Sequence, residues 1–255
     1  NKRLILFLFD EQILNIDDNI VNFLLKKNES NLYGYRHFFY PEIKSLIDEN
    51  QVKRIEYEIT YNDSEILENF EEKRRIGENH SYISKLIRND SIEEFVAYVN
   101  RTNYSLLNHI KLSIFETNSS LIDNEPSLIE YSAFFGSIQI FQYLKLNNVQ
   151  LTSSLWKYAI HSNNADLIHL LEENKIEPED KTYEKMLKEA IKCHHNDLAK
   201  YIKDNFIRNE NKNMDFENKL NKRLIDYCFK YRNYEFFPND LNNKFVFFYL
   251  CKYNY

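Results

Sequence analysis

The sequence predicts an all-α protein built from repeated helical hairpins, and three observations predict it. Residues 127–152 and 154–179 carry one pattern twice. Ser127-Leu128-Ile129-Glu130-Tyr131-Ser132-Ala133 aligns with Ser154-Leu155-Trp156-Lys157-Tyr158-Ala159-Ile160 at an offset of 27. Self-similarity at such a period is the signature of a helical repeat array. The 255 residues include only 3 Gly and 4 Pro, against usual shares of about 7% and 5%, which disfavours a turn-rich sandwich or barrel. Apolar residues recur at spacings of three and four, as one-faced helices require.

Residues 1–80 form an N-terminal helical region without internal repetition. Ile13, Ile16, Ile20, Phe23 and Leu24 mark one helix face. A loop is expected from Ser30 to Pro41, around Gly34 and the cluster Tyr33, Tyr35, Phe38, Phe39 and Tyr40. Further helix is expected over 42–76, ending near Gly77. Its mixed-sign run Glu71-Glu72-Lys73-Arg74-Arg75 is expected on a solvated face with i,i+4 pairing.

Repeats are expected over 81–237, in units of about 81–100, 127–152, 154–179, 182–207 and 224–237. In the fourth unit, Ala190-Ile191-Lys192-Cys193-His194-His195 keeps the register at an offset of 31. In the fifth, Asp226-Tyr227-Cys228-Phe229 stands where Glu130-Tyr131-Ser132-Ala133 stands in the second. Residues 101–126 read as a connector with a short helix of its own, and Pro238 as the stop of the fifth unit. Residues 238–255 read as the start of a further truncated repeat, which suggests a piece of a longer protein.

Each unit reads helix, tight turn, helix, polar loop, and this resembles the ankyrin repeat. Unit two supplies Ser132-Ala133, Gly136-Ser137, Ile140-Phe141, Leu144 and Asn147-Asn148-Val149; unit three supplies Tyr158-Ala159-Ile160, Leu167-Ile168, Leu170-Leu171 and Asn174-Lys175-Ile176. The chain departs from the family in lacking Thr-Pro-Leu-His in every unit. Asn163 and His194 replace Gly at the inter-helix turn, and Asn148 and Lys175 replace the loop Gly. The phrases around Ile129–Phe141, Ile168–Asn174 and Lys192–Ala199 are similar to a divergent ankyrin-type domain of unknown function abundant in trichomonad protists. The resemblance implies an ankyrin-like helical-hairpin solenoid, here with an N-terminal helical cap region, and a binding rather than catalytic role.

It also implies which side chains the first helix of each unit presents on a concave face. Carried over residue by residue, these are Tyr131, Phe134 and Phe135; Tyr158, His161 and Ser162; Glu189, Lys192 and Cys193; and Tyr227, Lys230 and Tyr231. Aromatic anchors at such positions serve interfaces when exposed, and core packing when neighbouring units or the N-terminal helices cover them. Both readings stay open from sequence. Trp156, the sole Trp, falls in the buried register of its helix.

Other chemistries find little support. Cys193-His194-His195 is a single ligand group at a hairpin turn, whereas zinc takes paired groups, so no metal or cofactor is expected. His161 and His169 flank a turn without a Ser or Cys expected in reach, so no catalytic residues are assigned. The acidic run Glu172, Glu173, Glu177, Glu179 and Asp180 lacks calcium-loop spacing. Three dispersed Gly make no phosphate loop. A net charge of -6 argues against nucleic acid. The longest apolar run, Leu4–Phe9, is too short to insert in a membrane. Three Cys give no disulfide framework and suggest a reducing, cytoplasmic setting. The expected function is therefore a non-enzymatic protein–protein interaction module with an unidentified protein partner. The alternatives are a structural region supporting downstream repeats, and a secreted host-interacting factor.

Overall fold

Helix is the only regular secondary structure among the described residues of the computed structural model. These are all residues except 1, 27–29, 62, 123, 180, 208–213, 238–242 and 254–255; the side chains of 30–33, 214–217 and 243–245 are also not described. The chain divides into two compact units. The first comprises Asn1–Lys85 and His109–Pro126, the second Leu86–Asn108 and Ser127–Tyr255.

The first unit holds α1 (Lys2–Asp10), α2 (Asp18–Leu24), α3 (Ser30–Phe38), α4 (Tyr40–Ile43), α5 (Glu49–Thr60) and α6 (Phe70–Ile76). The expected loop over 30–41 is thus mostly helical. Gly34 does not break α3, and the break falls instead at Phe39, ahead of Pro41 at the helix-tolerant start of α4. Asp17 caps α2 by accepting from the Ile20 N–H, so that helix begins at Asp18 and leaves Ile13 exposed. Asp48 and Gln51 form a capping box at the start of α5. The last turn of α6 closes on Gly77, whose φ of +70° is left-handed.

Val21, Leu24, Tyr40, Ile43, Ile55, Ile59, Ile66, Phe70 and Phe115 form the main core of this unit. Its buried charges are paired, although the Nε atoms of Arg36 and Arg74 make no hydrogen bond among the described residues. Lys2 donates to the carbonyls of Ile114 (2.8 Å) and Glu116 (3.1 Å). Arg36 and His37 both contact Glu58, at 2.6 and 3.1 Å. Arg74 pairs with Glu42 and Glu71, each at 2.6 Å, and is buried. That corrects the expectation of a fully solvated 71–75 run: Arg74 turns inward because two carboxylates offset its desolvation.

Helix α7 (Tyr82–Arg88) carries the chain from the first unit into the second. There follow α8 (Ile92–Thr102), α9 (Leu128–Phe135), α10 (Ile138–Leu146), α11 (Leu155–Ser162), α12 (Ala165–Glu173), α13 (Glu184–Lys192) and α14 (Asn196–Ile202). A π-helical segment, Lys203–Ile207, extends α14; then come α15 (Met214–Tyr231), a 3₁₀ turn at Tyr234–Phe236, and α16 (Asn243–Lys252). Residues 103–126 form turns rather than the expected short helix among those described. The fifth hairpin is lopsided: its first helix starts ten residues before Leu224, and its second has shrunk to one 3₁₀ turn. Pro238 lies outside the described residues.

One stop signal ends the first helix of every hairpin. Asp90, Gly136, Asn163, His194 and Arg232 are all left-handed, with φ between +49° and +71°. Around four of them the next residue's N–H reaches back five residues: Ser91 to Leu86, Ser137 to Ser132, His195 to Ala190 and Asn233 to Cys228, at 2.9–3.1 Å. This is the Schellman closure. Asn103, Asn148 and Lys175 end α8, α10 and α12 in the same way, so the residues standing in for loop Gly do adopt its conformation.

Small or apolar residues four and three before each left-handed position are buried: Leu86-Ile87, Ser132-Ala133, Ala159-Ile160, Ala190-Ile191 and Cys228-Phe229. Helix α11 packs on α9, α13 on α11 and α15 on α13. The residue after each stop then reaches back to the preceding hairpin. Ser137 donates to the Ile87 carbonyl, Asn164 to the Gly136 carbonyl at 3.4 Å, and Asn233 to the Ile191 carbonyl at 2.9 Å. His195 is held in like fashion by the backbone of His161. Asp90 accepts from the N–H groups of Gln139 and Ile140 at 3.0 Å, capping α10 from the previous hairpin. Trp156 is fully buried, and its indole N–H donates to the Ile176 carbonyl at 2.6 Å.

Candidate functional site

The candidate side chains sit five, two and one residues before each left-handed stop. Because α9, α11 and α13 pack in succession, these positions meet across the second, third and fourth hairpins. The Tyr131 ring lies 4.8 Å from Phe135, Phe135 lies 5.0 Å from Phe134, and Phe134 tilts over the His161 ring at 4.8 Å. Phe134 also meets Tyr158 edge-on at 6.5 Å. His161 Nε2 then lies 3.1 Å from Glu189 Oε1, and Lys192 donates to that oxygen at 2.7 Å. Tyr227 and Tyr231 make a tilted pair at 6.4 Å, with the Lys230 ammonium over Tyr231.

The row is graded in exposure. Tyr131, Phe134 and Tyr158 are buried, each 7% exposed or less. They are pieces of the packed interior more than open anchors, which decides that half of the open question toward burial. Phe135, His161, Ser162, Glu189, Cys193, Tyr227 and Tyr231 are half-buried; Lys192 and Lys230 are exposed. Ser162 spends its hydroxyl locally, donating to the Ala159 carbonyl.

Arg88 belongs to the row and was missed from sequence. It stands two residues before the Asp90 stop, donates to the Tyr131 hydroxyl at 3.0 Å and lies over Phe135. The register common to the later hairpins would have found it.

A second grouping overturns an expectation. Cys193 Sγ lies 3.4 Å from His161 Nδ1, so a Cys does pair with His161, although 32 residues separate them. His161, Glu189 and Cys193 each bring one ligand atom to within 4.8 Å of the others. The Cys193-His194-His195 segment does form the hairpin turn expected of it, with His194 at φ +60°. His194 and His195 are not part of the grouping.

Electrostatics bind these groups together. Burial works against ionisation of Glu189, but hydrogen bonds from His161 and Lys192 outweigh it and hold the carboxyl at about 2. Burial would lower Lys192, yet its contact with Glu189 raises it. Burial, then the Glu189 charge, pushes the Cys193 thiol up to about 11.

Glu172 in the acidic run is likewise engaged, accepting from the Tyr201 hydroxyl at 2.9 and 3.1 Å; Asp180 lies outside the described residues. No described helix is long and apolar enough to cross a membrane. The chain matches no protein-family model, no curated protein and no solved structure.

Proposed function

We propose that this chain is a non-enzymatic protein–protein interaction module, an ankyrin-like scaffold that engages a protein partner through the row of side chains on its first helices. The observation that carries the reading is the continuity of that row. From Arg88 to Cys193, equivalent positions of consecutive hairpins touch one another instead of scattering, giving the extended, repeat-built surface such arrays use for binding. Its accessible part lies toward the later hairpins, with Lys192 and Lys230 exposed and Glu189, Tyr227 and Tyr231 half-buried; Phe135 is half-buried at the other end. The buried aromatics behind it hold the row rigid.

A nucleophilic Cys–His–Glu arrangement suits the same atoms less well. A reactive thiol needs a depressed pKa, favoured at a helix N-terminus. Cys193 instead caps the C-terminus of α13, and burial pushes its thiol up. A purely structural role, supporting repeats beyond this chain, draws on the burial of Tyr131, Phe134 and Tyr158.

Affinity capture from source-cell extract separates the two. The parent is run beside Lys192→Gln/Lys230→Glu, where Gln keeps a donor for Glu189 and both positions are exposed, after both chains are shown to fold. A specific protein held by the parent and lost by the double variant supports binding through this row. The same proteins on both, or none on either, supports the structural role.

A further inference from the structure

We infer that His161, Glu189 and Cys193 form a zinc site bridging the third and fourth hairpins, with one coordination position open. The three ligand atoms come from helices α11 and α13 and lie within 4.8 Å of one another. Zinc bonds of about 2.0–2.1 Å to nitrogen and 2.3 Å to sulfur place tetrahedral N and S ligands about 3.5 Å apart. The His161 Nδ1 to Cys193 Sγ distance is 3.4 Å. The carboxylate lies on the other ring nitrogen at 3.1 Å, so binding by all three requires the Glu189 side chain to rotate toward the Nδ1 side.

Three further features favour a cation here. His161 lies in the last turn of α11, and Cys193 caps α13. Both helices therefore direct carbonyl ends at the site, where the dipole stabilises positive charge. The donor set of thiolate, imidazole and carboxylate suits zinc over calcium or magnesium, which take oxygen ligands. One thiolate and one carboxylate also balance a divalent charge. In the metal-free chain the Lys192 ammonium, 2.7 Å from Glu189, supplies the cation; zinc would displace it into solvent, where Lys192 is already partly exposed. The same dipoles that oppose a free thiolate at Cys193 thus favour a metal-bound one. The inference stands apart from the protein-binding reading, since it needs no partner.

The test uses the full chain, stripped with chelator and titrated with zinc chloride against a chromophoric chelator. Cobalt(II) serves as a spectroscopic probe in parallel. The expected result is one equivalent of zinc, and a thiolate-to-cobalt charge-transfer band that survives Cys251→Ser and disappears in Cys193→Ser. Loss of an outer-shell partner alone typically costs 10–100-fold in metal affinity, so Cys193→Ser and His161→Ala are expected to weaken zinc by about 100-fold or more. Lys192→Met removes the competing ammonium and is expected to tighten zinc about two- to fivefold. This surface change keeps the test meaningful should a ligand variant fail to fold. No saturable zinc binding by the parent, no charge-transfer band, or equal affinity in folded Cys193→Ser would each overturn the assignment, as would weaker zinc binding by Lys192→Met.

Discussion

Gly136→Ala perturbs the stop signal on which the hairpins depend. Gly136 has φ +71°, and an added Cβ would lie 3.3 Å from Ser162 Cβ and 3.5 Å from Asn164 Nδ2. The left-handed backbone costs an Ala about 1–2 kcal/mol. Reduced unfolded-state entropy returns about 0.4–1 kcal/mol. The crowding also pushes on Asn164, whose amide donates to the Gly136 carbonyl at 3.4 Å, and a weakened inter-hairpin hydrogen bond adds up to about 1 kcal/mol. The middle of these ranges gives a net loss of about 1.3 kcal/mol, or a fall in melting temperature of roughly 3–5 °C for a chain of this size. Trp156, the sole Trp and fully buried, reports the second unit alone by fluorescence during urea unfolding. Asn163→Gly at the equivalent stop is the control. Asn already tolerates the left-handed region, so its shift is expected to stay under about 0.5 kcal/mol. A Gly136→Ala chain as stable as the parent, or less affected than Asn163→Gly, would refute the reasoning.

Other perturbations test neighbouring parts of the account. Ala133→Asp buries an unpaired carboxylate at a fully buried position and is expected to cost about 3 kcal/mol or more; an unchanged far-UV melt would contradict this. Asn233→Ala removes the hydrogen bonds to the Ile191 carbonyl (2.9 Å) and Asn196 Oδ1 (2.8 Å). The Ile191 carbonyl keeps the His194 N–H at 3.1 Å, so the expected cost is that of the two lost hydrogen bonds, about 1–2 kcal/mol in the Trp156-detected transition. The first unit is expected to weaken in acid. Burial depresses His37, so its contribution is complete above its ordinary value of 6.5 and is lost as pH falls through the folded value. Burial raises Glu58, but the His37 hydrogen bond and the Arg36 charge outweigh it. Its contribution is complete above the ordinary 4.5 and is lost on further acidification. Glu58→Gln should therefore lose less stability than the parent below pH 4.5 in far-UV denaturation series; an equal or steeper loss would refute the assignment.

The helical class was legible because the pattern is written in residues whose physics is local. Ala133, Ala159 and Ala190 mark close helix approach, and Gly136 and Asn163 suit the left-handed stop. Arg232 and His194 adopt the same stop without advertising it, since the tertiary packing imposes what their side chains do not favour. The first unit was less legible. Gly34 and the aromatics around it suggested a loop, yet the cores around Phe38, Phe39 and Tyr40 stabilise helix there. Arg74 looked solvated because Glu42, its partner, stands 32 residues away. Within the candidate site, the alignment of units gave the shared register of these side chains but not their exposure. Tyr131 and Phe134 are covered by neighbours that no single helix reveals. The pairing of His161 with Cys193 was hidden for the same reason: it depends on the register between α11 and α13, not on spacing within either.

The claim that partner binding uses the first-helix row is tested most directly by site-specific photo-crosslinking. A photoreactive residue is placed at Lys192, at Lys230, or at Leu146, which is 81% exposed at the end of second helix α10. The account predicts adducts with one protein partner from positions 192 and 230 and none from 146. Adducts from 146 alone, or equally from all three, would contradict it.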